Sequence, residues 1–150
     1  MGKNKPPKLS IAQQLVALKR DYSFGDTKLS TFNEIVWEGK LKSSPLGDEY
    51  LVKVIYKKGD SPKIYVLEPK ELKLPEGKNK LEHVYDHKNQ KLCLYYPKTK
   101  EWNDTKTIAS TILPWAMEWL YHYEMWLITS EWTGGGIHPG GNKPKISEKL

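Results

Sequence analysis

The spacing of apolar residues switches to a period of two in the middle of the chain, and this pattern constrains the fold more than any other feature. Alternate residues are apolar over 32–42, over 50–57 and over 63–68, which predicts three strands. Short segments rich in Gly, Pro and Ser join these strands, and such short connections favour an antiparallel meander over parallel pairing. The preceding residues 23–30 contain a Gly-Asp pair and are expected to form a loop.

Helical spacing flanks the strands on both sides. Ser10 and Gln13 have the form of a capping box, and we expect a helix over 10–22. A second, longer helix is expected over 107–128, with Pro114 inside it, where a proline kinks a helix unless the helix restarts there. The apolar stripe of this helix, at steps of three and four, consists of Ile108, Ile112, Trp115, Trp119, Tyr123 and Trp126. We expect this helix to cover the sheet and to bury Trp115, Trp119 and Trp126.

The order of helix, strands, loop and helix predicts a single α+β domain. We expect the domain to span 9–138, with flexible tails at 1–8 and 139–150. Pro69 and Pro75 interrupt regular structure between the third strand and the cysteine that follows. At 150 residues the chain is long enough to bury one substantial core.

Charge and cysteine content narrow the classes of function. The net charge is +6, but Arg20 is the single arginine and the lysines are scattered along the chain. A surface that reads bases normally uses arginine forks, so this pattern argues against nucleic-acid binding. No apolar run approaches the roughly 18 residues of a membrane span, and the basic start lacks the apolar run of a secretory signal. The missing apolar runs predict that the protein has no membrane partner. One cysteine cannot form an internal disulfide, which fits a reducing, cytoplasmic location.

The sole cysteine, Cys93, is the main candidate for chemistry. It lies between Leu92 and Leu94, after a polar stretch that we expect to be irregular and before Tyr95 and Tyr96. A cysteine in a loop can expose its sulfur while the two leucines anchor the backbone. A free thiol with a pKa of about 8.5 is a few per cent thiolate at neutral pH, enough to attack an activated acyl group. The alternative is a small buried apolar residue, which free cysteine often is.

Several features stand in a fixed order around Cys93. His83 precedes it by ten residues, Trp102 follows by nine residues, and Thr107-Ile108 comes next. This order is similar to that of the ubiquitin-conjugating enzymes, whose fold has an N-terminal helix, an antiparallel meander and an extended active-site segment. In that family a histidine precedes an Ile-Cys-Leu nucleophile tripeptide, to which Leu92-Cys93-Leu94 corresponds, and Thr-Ile opens the next helix.

The departures from the family pattern point to one branch of it. Val84 and Tyr85 replace the Pro and Asn that usually follow the histidine, and the chain is short of the family's last two helices. With its closing Trp-x-Gly-Gly-x-x-His motif from Trp132 to His138, the chain looks most like the bacterial conjugating enzymes of anti-phage CBASS operons. It resembles their stand-alone form, without an activating-enzyme domain.

This resemblance implies an acyltransferase that works through a thioester on Cys93. The thioester would be formed with the C-terminus of a cGAS-like nucleotidyltransferase and passed to an amine of an acceptor protein or a small molecule, and no cofactor is implied. Each step passes through a tetrahedral oxyanion, for which His83, Tyr85, His87 and Asn89 are candidate donors. We expect His83 to be the more important, by ordering the loop or donating to the oxyanion, with Tyr85 mainly packing.

Two other functions stay open at this point: a cysteine hydrolase acting on such a conjugate, and a catalytically silent scaffold of the same fold. A hydrolase needs a base oriented by a third group, and no family spacing supplies one. His83, His87 and Cys93 resemble part of a zinc site, but a structural site needs four ligands and His138 is distant in sequence. The glycines from Gly134 lack the Lys-Ser/Thr of a phosphate-binding loop.

Overall fold

The structure, a computed structural model, describes residues 6–96 and 101–134. Its elements in chain order are helix α1 (Ile11–Asp21), strands β1 (Asp26–Leu29), β2 (Glu34–Leu41), β3 (Tyr50–Lys57), β4 (Lys63–Glu68), β5 (Val84–Asp86) and β6 (Lys91–Leu92), and helix α2 (Ile112–Thr129). The strands form one sheet in the order β1-β2-β3-β4-β6-β5, and every neighbouring pair is antiparallel. The predicted α+β class and antiparallel sheet are confirmed.

The three predicted strands form the centre of the sheet. Trp37 of β2 is directly opposite Val54 of β3, which in turn pairs with Ile64 of β4. All three side chains are buried, so one face of the sheet packs on the core, as the period of two predicts. Gly25 and Gly39 make room for the Trp37 indole, because a Cβ at either position would lie 2.5 or 2.6 Å from it.

The loop predicted over 23–30 is wrong, since part of it forms the edge strand β1. This strand pairs antiparallel with β2, from Asp26 opposite Glu38 to Leu29 opposite Ile35. Its side chains are mostly exposed. An edge strand that buries neither face shows no apolar alternation, so its sequence carries no strand pattern.

Helix α1 begins as predicted. The Ser10 hydroxyl accepts a hydrogen bond from the Gln13 N–H at 3.1 Å, and the Gln13 side chain accepts one from the Ser10 N–H at 2.8 Å, which completes the capping box. Gln14, next in the helix, is buried. Its amide donates to the Lys106 carbonyl at 2.9 Å and accepts from the Ile108 N–H at 2.8 Å. This one side chain attaches α1 to the segment that leads into α2.

Helix α2 begins five residues later than predicted, so Thr107-Ile108 does not open it. Pro114 is therefore in the first turn, where a backbone N–H would have no acceptor within the helix. A proline, which lacks this N–H, is tolerated there. Ile108 is fully buried, but in the turn before the helix. Of the three tryptophans expected to be buried, Trp119 and Trp126 are buried, whereas Trp115 is only partly so.

The polar stretch before Cys93, expected to be irregular, contains the short strands β5 and β6. Gln90 is buried in the turn between them. Its side-chain oxygen accepts from the Leu72 N–H at 2.6 Å, and its amide donates to the carbonyls of Val66 and Pro69, both at 3.0 Å. These bonds tie the segment that follows β4 to the start of the cysteine segment.

The predicted flexible tails lie mostly outside the described residues, which exclude 1–5 and 135–150. Leu9, the first residue of the predicted domain, is attached to it, because its N–H donates to the Asp104 carbonyl at 2.7 Å. Within the described ranges, neither helix has the length and apolar character that crossing a membrane requires.

Candidate functional site

Cys93 directly follows β6, and its backbone is held by the pairing of β5 with β6. Its N–H donates to the His83 carbonyl at 2.9 Å, beside the paired residues Val84 and Leu92. The residue is 6% exposed, and the thiol donates to the Tyr95 carbonyl at 3.3 Å. The sulfur is therefore largely covered, although Cys93 lines the cavity described below.

Tyr85 lies on β5 with its hydroxyl beside this thiol. The hydroxyl donates to the Tyr95 carbonyl at 3.1 Å, so Tyr85 and Cys93 share one acceptor. Tyr85 is 43% exposed, with the Lys91 Nζ 5.3 Å from the ring centroid. Its polar contacts are thus a more prominent feature than its packing.

Burial raises the pKa of the Cys93 thiol above its ordinary value. Hydrogen bonds with the Tyr85 hydroxyl and with the backbone of Tyr95 lower this pKa, and the negative charge of Glu101 raises it. Burial, together with the hydrogen bond to Cys93, also raises the pKa of Tyr85. The phenol therefore stays protonated at neutral pH and can donate to the sulfur.

His83 connects the cysteine segment to α2 through its backbone. Its carbonyl accepts hydrogen bonds from the Cys93 N–H at 2.9 Å and from the Trp119 Nε1–H at 3.0 Å. Its φ is 49°, in the left-handed region that few residues other than glycine adopt. The imidazole stacks on the Trp132 indole, with ring centroids 5.1 Å apart and 26° between the planes.

A cavity of about 310 Å³ lies beside Cys93. His83 and Cys93 line it together with side chains from α2 and its flanking segments, among them Glu101, Trp115, Glu118, Trp119, His122 and Trp132. Sequence reasoning treated the helix tryptophans as core residues and missed Glu101, Glu118 and His122. The signal in the sequence is weak and consists of the spacing of Glu118 and His122, which are one helical turn apart. In the structure these two side chains approach to 3.9 Å.

A second cavity, of about 370 Å³, adjoins the first, because Leu94 and Tyr95 line both. Tyr85 lines the second one, together with Pro62 and Ile64. The segment that carries the thiol therefore borders two separate spaces, each large enough for part of a ligand.

The other predicted donors stabilise the turn between β5 and β6. His87 Nδ1 accepts from the Leu81 N–H at 3.0 Å, and the Asn89 side chain donates to Asp86 at 2.7 Å. The described residues contain no group of three or more His, Cys, Asp and Glu side chains that could hold a metal ion. His138, considered as a further ligand, lies outside the described residues.

Fold and site together define a small α+β protein with one cysteine beside an aromatic and acidic cavity. The family model described as Type II CBASS E2 protein matches residues 14–139, which is most of the chain. The chain therefore belongs to this family, and the family predicted from the residues around Cys93 is confirmed. Membership gives the protein a ubiquitin-conjugation-like role in CBASS defence, in association with other CBASS components. No curated protein matches the chain.

Proposed function

We propose that this chain is a cysteine acyl carrier, which forms a thioester between Cys93 and the C-terminus of a cGAS-like nucleotidyltransferase and passes the acyl group to an amine. The observation that carries the proposal is the environment of Cys93. The thiol borders a cavity, its backbone is fixed by the His83 carbonyl, and the Tyr85 hydroxyl shares with the thiol one acceptor, the Tyr95 carbonyl. A nucleophile with a nearby donor is what acyl transfer requires, and the family match supports the same chemistry.

The proposed reaction has two steps, and the sulfur takes part in both. The Cys93 thiolate first attacks the activated acyl carbon of the partner's C-terminus, so that a C–S bond forms and the activating group leaves. An amine then attacks the thioester carbon, a C–N bond forms, and Cys93 leaves as a thiolate. Both steps pass through a tetrahedral intermediate with a negative oxygen, which hydrogen-bond donors near the sulfur stabilise.

Tyr85 is the proposed donor to the sulfur and to the oxyanion, which reverses the order of importance expected from the sequence. Its hydroxyl stays protonated, and it can turn from the Tyr95 carbonyl to the thiolate when the thiol loses its proton. His83 is proposed as a positioning residue. Its carbonyl holds the Cys93 N–H, and its ring packs on Trp132.

The proposal is tested by the formation of a thiol-labile adduct. The purified protein is mixed with its nucleotidyltransferase partner, whose C-terminus is supplied activated as a small-molecule thioester, and the mixture is separated without reducing agent. We expect a covalent adduct that added thiol releases and that Cys93→Ala does not form. An adduct that persists in Cys93→Ala would exclude Cys93 as the carrier.

A silent binding scaffold is the second candidate, and the burial of the thiol favours it. Cys93 is largely covered and its pKa is raised, which is common for a cysteine that only packs. A scaffold would bind the nucleotidyltransferase equally well as wild type and as Cys93→Ala, and would give no covalent adduct with either. A binding measurement beside the adduct assay therefore distinguishes the two candidates.

A further inference from the structure

Strand β1 pairs with a neighbour on one side only. It is the first strand in the sheet order, so no strand of the described residues pairs with its outer side. The Ser30 N–H, just after β1, donates to the Glu34 carbonyl of β2 at 2.9 Å. Because backbone groups alternate between the two sides of a strand, the N–H and C=O groups of Thr27 and Leu29 point to the outer side. These groups can pair with a further strand.

Exposed apolar side chains lie at both ends of this strand. The chain has two phenylalanines, and both are near β1. Phe24, two residues before the strand, is 64% exposed, and Phe32, in the turn to β2, is 80% exposed. The Phe24 ring meets the Trp37 indole edge to face, with centroids 6.1 Å apart, and Leu29 at the end of the strand is half-exposed. Apolar side chains exposed beside an unpaired strand edge are typical of an interface.

The charges of β1 are complementary to those of a second copy of the same strand. Asp26 and Lys28 flank Thr27, and both charged side chains are exposed, with the Lys28 Nζ 3.5 Å from the Asp26 Oδ2. If two β1 strands pair antiparallel with Thr27 opposite Thr27, Asp26 of each copy lies directly opposite Lys28 of the other. Opposite charges in this position stabilise strand pairing, and like charges destabilise it. The register with Thr27 opposite Leu29 would place the two Lys28 side chains opposite each other, so charge favours the first register.

We propose that two copies of the chain associate through their β1 strands, antiparallel and around a two-fold axis, with Thr27 at the centre. Each Thr27 then exchanges two backbone hydrogen bonds with its equivalent. Antiparallel pairing brings the start of one β1 next to the end of the other, so Phe24 of one copy lies near Leu29 of the second copy. The two sheets become one continuous sheet, and the same surface is used by both copies.

This interface goes beyond the proposed function and does not depend on it. Cys93 directly follows β6, and strands β2, β3 and β4 separate β6 from β1 in the sheet. The dimer therefore has its two Cys93 sites in the outer parts of the joined sheet, away from the interface.

Sedimentation velocity of the full chain over a range of concentrations tests the interface. At about 0.15 M salt, charges more than roughly 8 Å apart are largely screened, so the net charge of +6 on each copy opposes association only weakly. We expect the wild-type chain to reach twice the mass of one chain as the concentration rises. Lys28→Asp makes like charges face each other across the interface and should weaken the dimer by about ten-fold. The double variant Asp26→Lys/Lys28→Asp makes opposite charges face each other again and should restore the dimer.

Two further variants separate strand pairing from charge. Thr27→Pro removes an N–H that points to the outer side, so it should abolish the dimer and leave the pairing with β2 in place. Lys78→Asp reverses a charge at an exposed position after β4 and should keep the wild-type dissociation constant. Alkylation of Cys93 by iodoacetamide should proceed at the wild-type rate in every variant, which checks that the fold is intact.

A wild-type chain that stays monomeric up to about 0.5 mM, as expected if β1 pairs with an extended segment of another protein, would overturn the inference. A dimer that survives both Lys28→Asp and Thr27→Pro would also overturn it, and so would a double variant as monomeric as Lys28→Asp. None of these results bears on the proposed function, which depends on adduct formation by Cys93.

Discussion

At the scale of single residues, the reactivity of the Cys93 thiol depends on the hydrogen bonds that it and the Tyr85 hydroxyl donate to the Tyr95 carbonyl. The Cys93 thiol and the Tyr85 hydroxyl both donate to it, at 3.3 and 3.1 Å. When the thiol loses its proton, the sulfur becomes an acceptor, and the Tyr85 hydroxyl can turn to it from the Tyr95 carbonyl. Because burial disfavours the thiolate, such a donor has a large influence on the fraction of reactive sulfur.

We expect Tyr85→Phe to raise the pKa of Cys93 further, because it removes an interaction that lowers this pKa and leaves the burial in place. The smaller thiolate fraction should slow alkylation by iodoacetamide at neutral pH by roughly ten-fold, the equivalent of about 1.4 kcal/mol. The pH profile of alkylation should move to higher pH. Tyr121→Phe, which removes an exposed hydroxyl from α2, is the control. An unchanged profile for Tyr85→Phe would restore the sequence-based preference for His83.

His83→Ala is expected to slow acyl transfer by about ten-fold or more, with the fold intact. The reason is the loss of the stack on Trp132, which fixes the left-handed residue whose carbonyl holds Cys93. His83→Phe keeps a flat ring against Trp132 without the ring nitrogens, so it should retain most of the rate. Single-turnover transfer rates compare the two variants. If His83→Phe is as slow as His83→Ala, the imidazole nitrogens act directly and the positioning role is wrong.

At the scale of elements, the sequence pattern predicts those elements that bury one face. The central strands alternate because one side packs on the core, and they were predicted within two residues of their bounds. The edge strand β1 is mostly exposed, and β5 and β6 are three and two residues long, too short for a periodic pattern. Ile108 fits the apolar stripe of α2, so the helix is predicted to start too early. In the structure Ile108 is buried in the turn before the helix, where its N–H donates to the Gln14 side chain.

Gln14 offers a stability test of how α1 is attached. Gln14→Ala would leave the Ile108 N–H and the Lys106 carbonyl without their partner. It should lower the free energy of unfolding by roughly 2–3 kcal/mol. Gln13→Ala removes one exposed half of the capping box and should cost less than about 1 kcal/mol. Urea unfolding measures both, and equal losses would contradict the attachment through Gln14.

In the site, too, the sequence predicts only part of the structure, namely the contacts between residues that are close together in the chain. Cys93 and His83 are ten residues apart and are brought together by the pairing of β5 with β6, so their spacing is visible in the sequence. Glu118 and His122 reach the cavity through the packing of α2, which no spacing encodes. The contact of Tyr85 with the thiol likewise depends on the position of the Tyr95 carbonyl.

At the scale of the whole molecule, the chain is basic, whereas the described residues that line the cavity beside Cys93 include two carboxylates. The net charge of +6 favours the approach of an acidic partner surface. Glu101 and Glu118 are the carboxylates among these described lining residues.

The claim that Cys93 carries the acyl group is tested most directly by mass spectrometry after incubation with the nucleotidyltransferase, activated at its C-terminus as a small-molecule thioester. We predict a partner-derived acyl group on the peptide that contains Cys93, released by added thiol. The group should persist longer as an oxyester in Cys93→Ser, provided that the serine hydroxyl reacts, and it should be absent from Cys93→Ala. Transfer of the partner to an amine while Cys93 stays unmodified throughout would contradict the account.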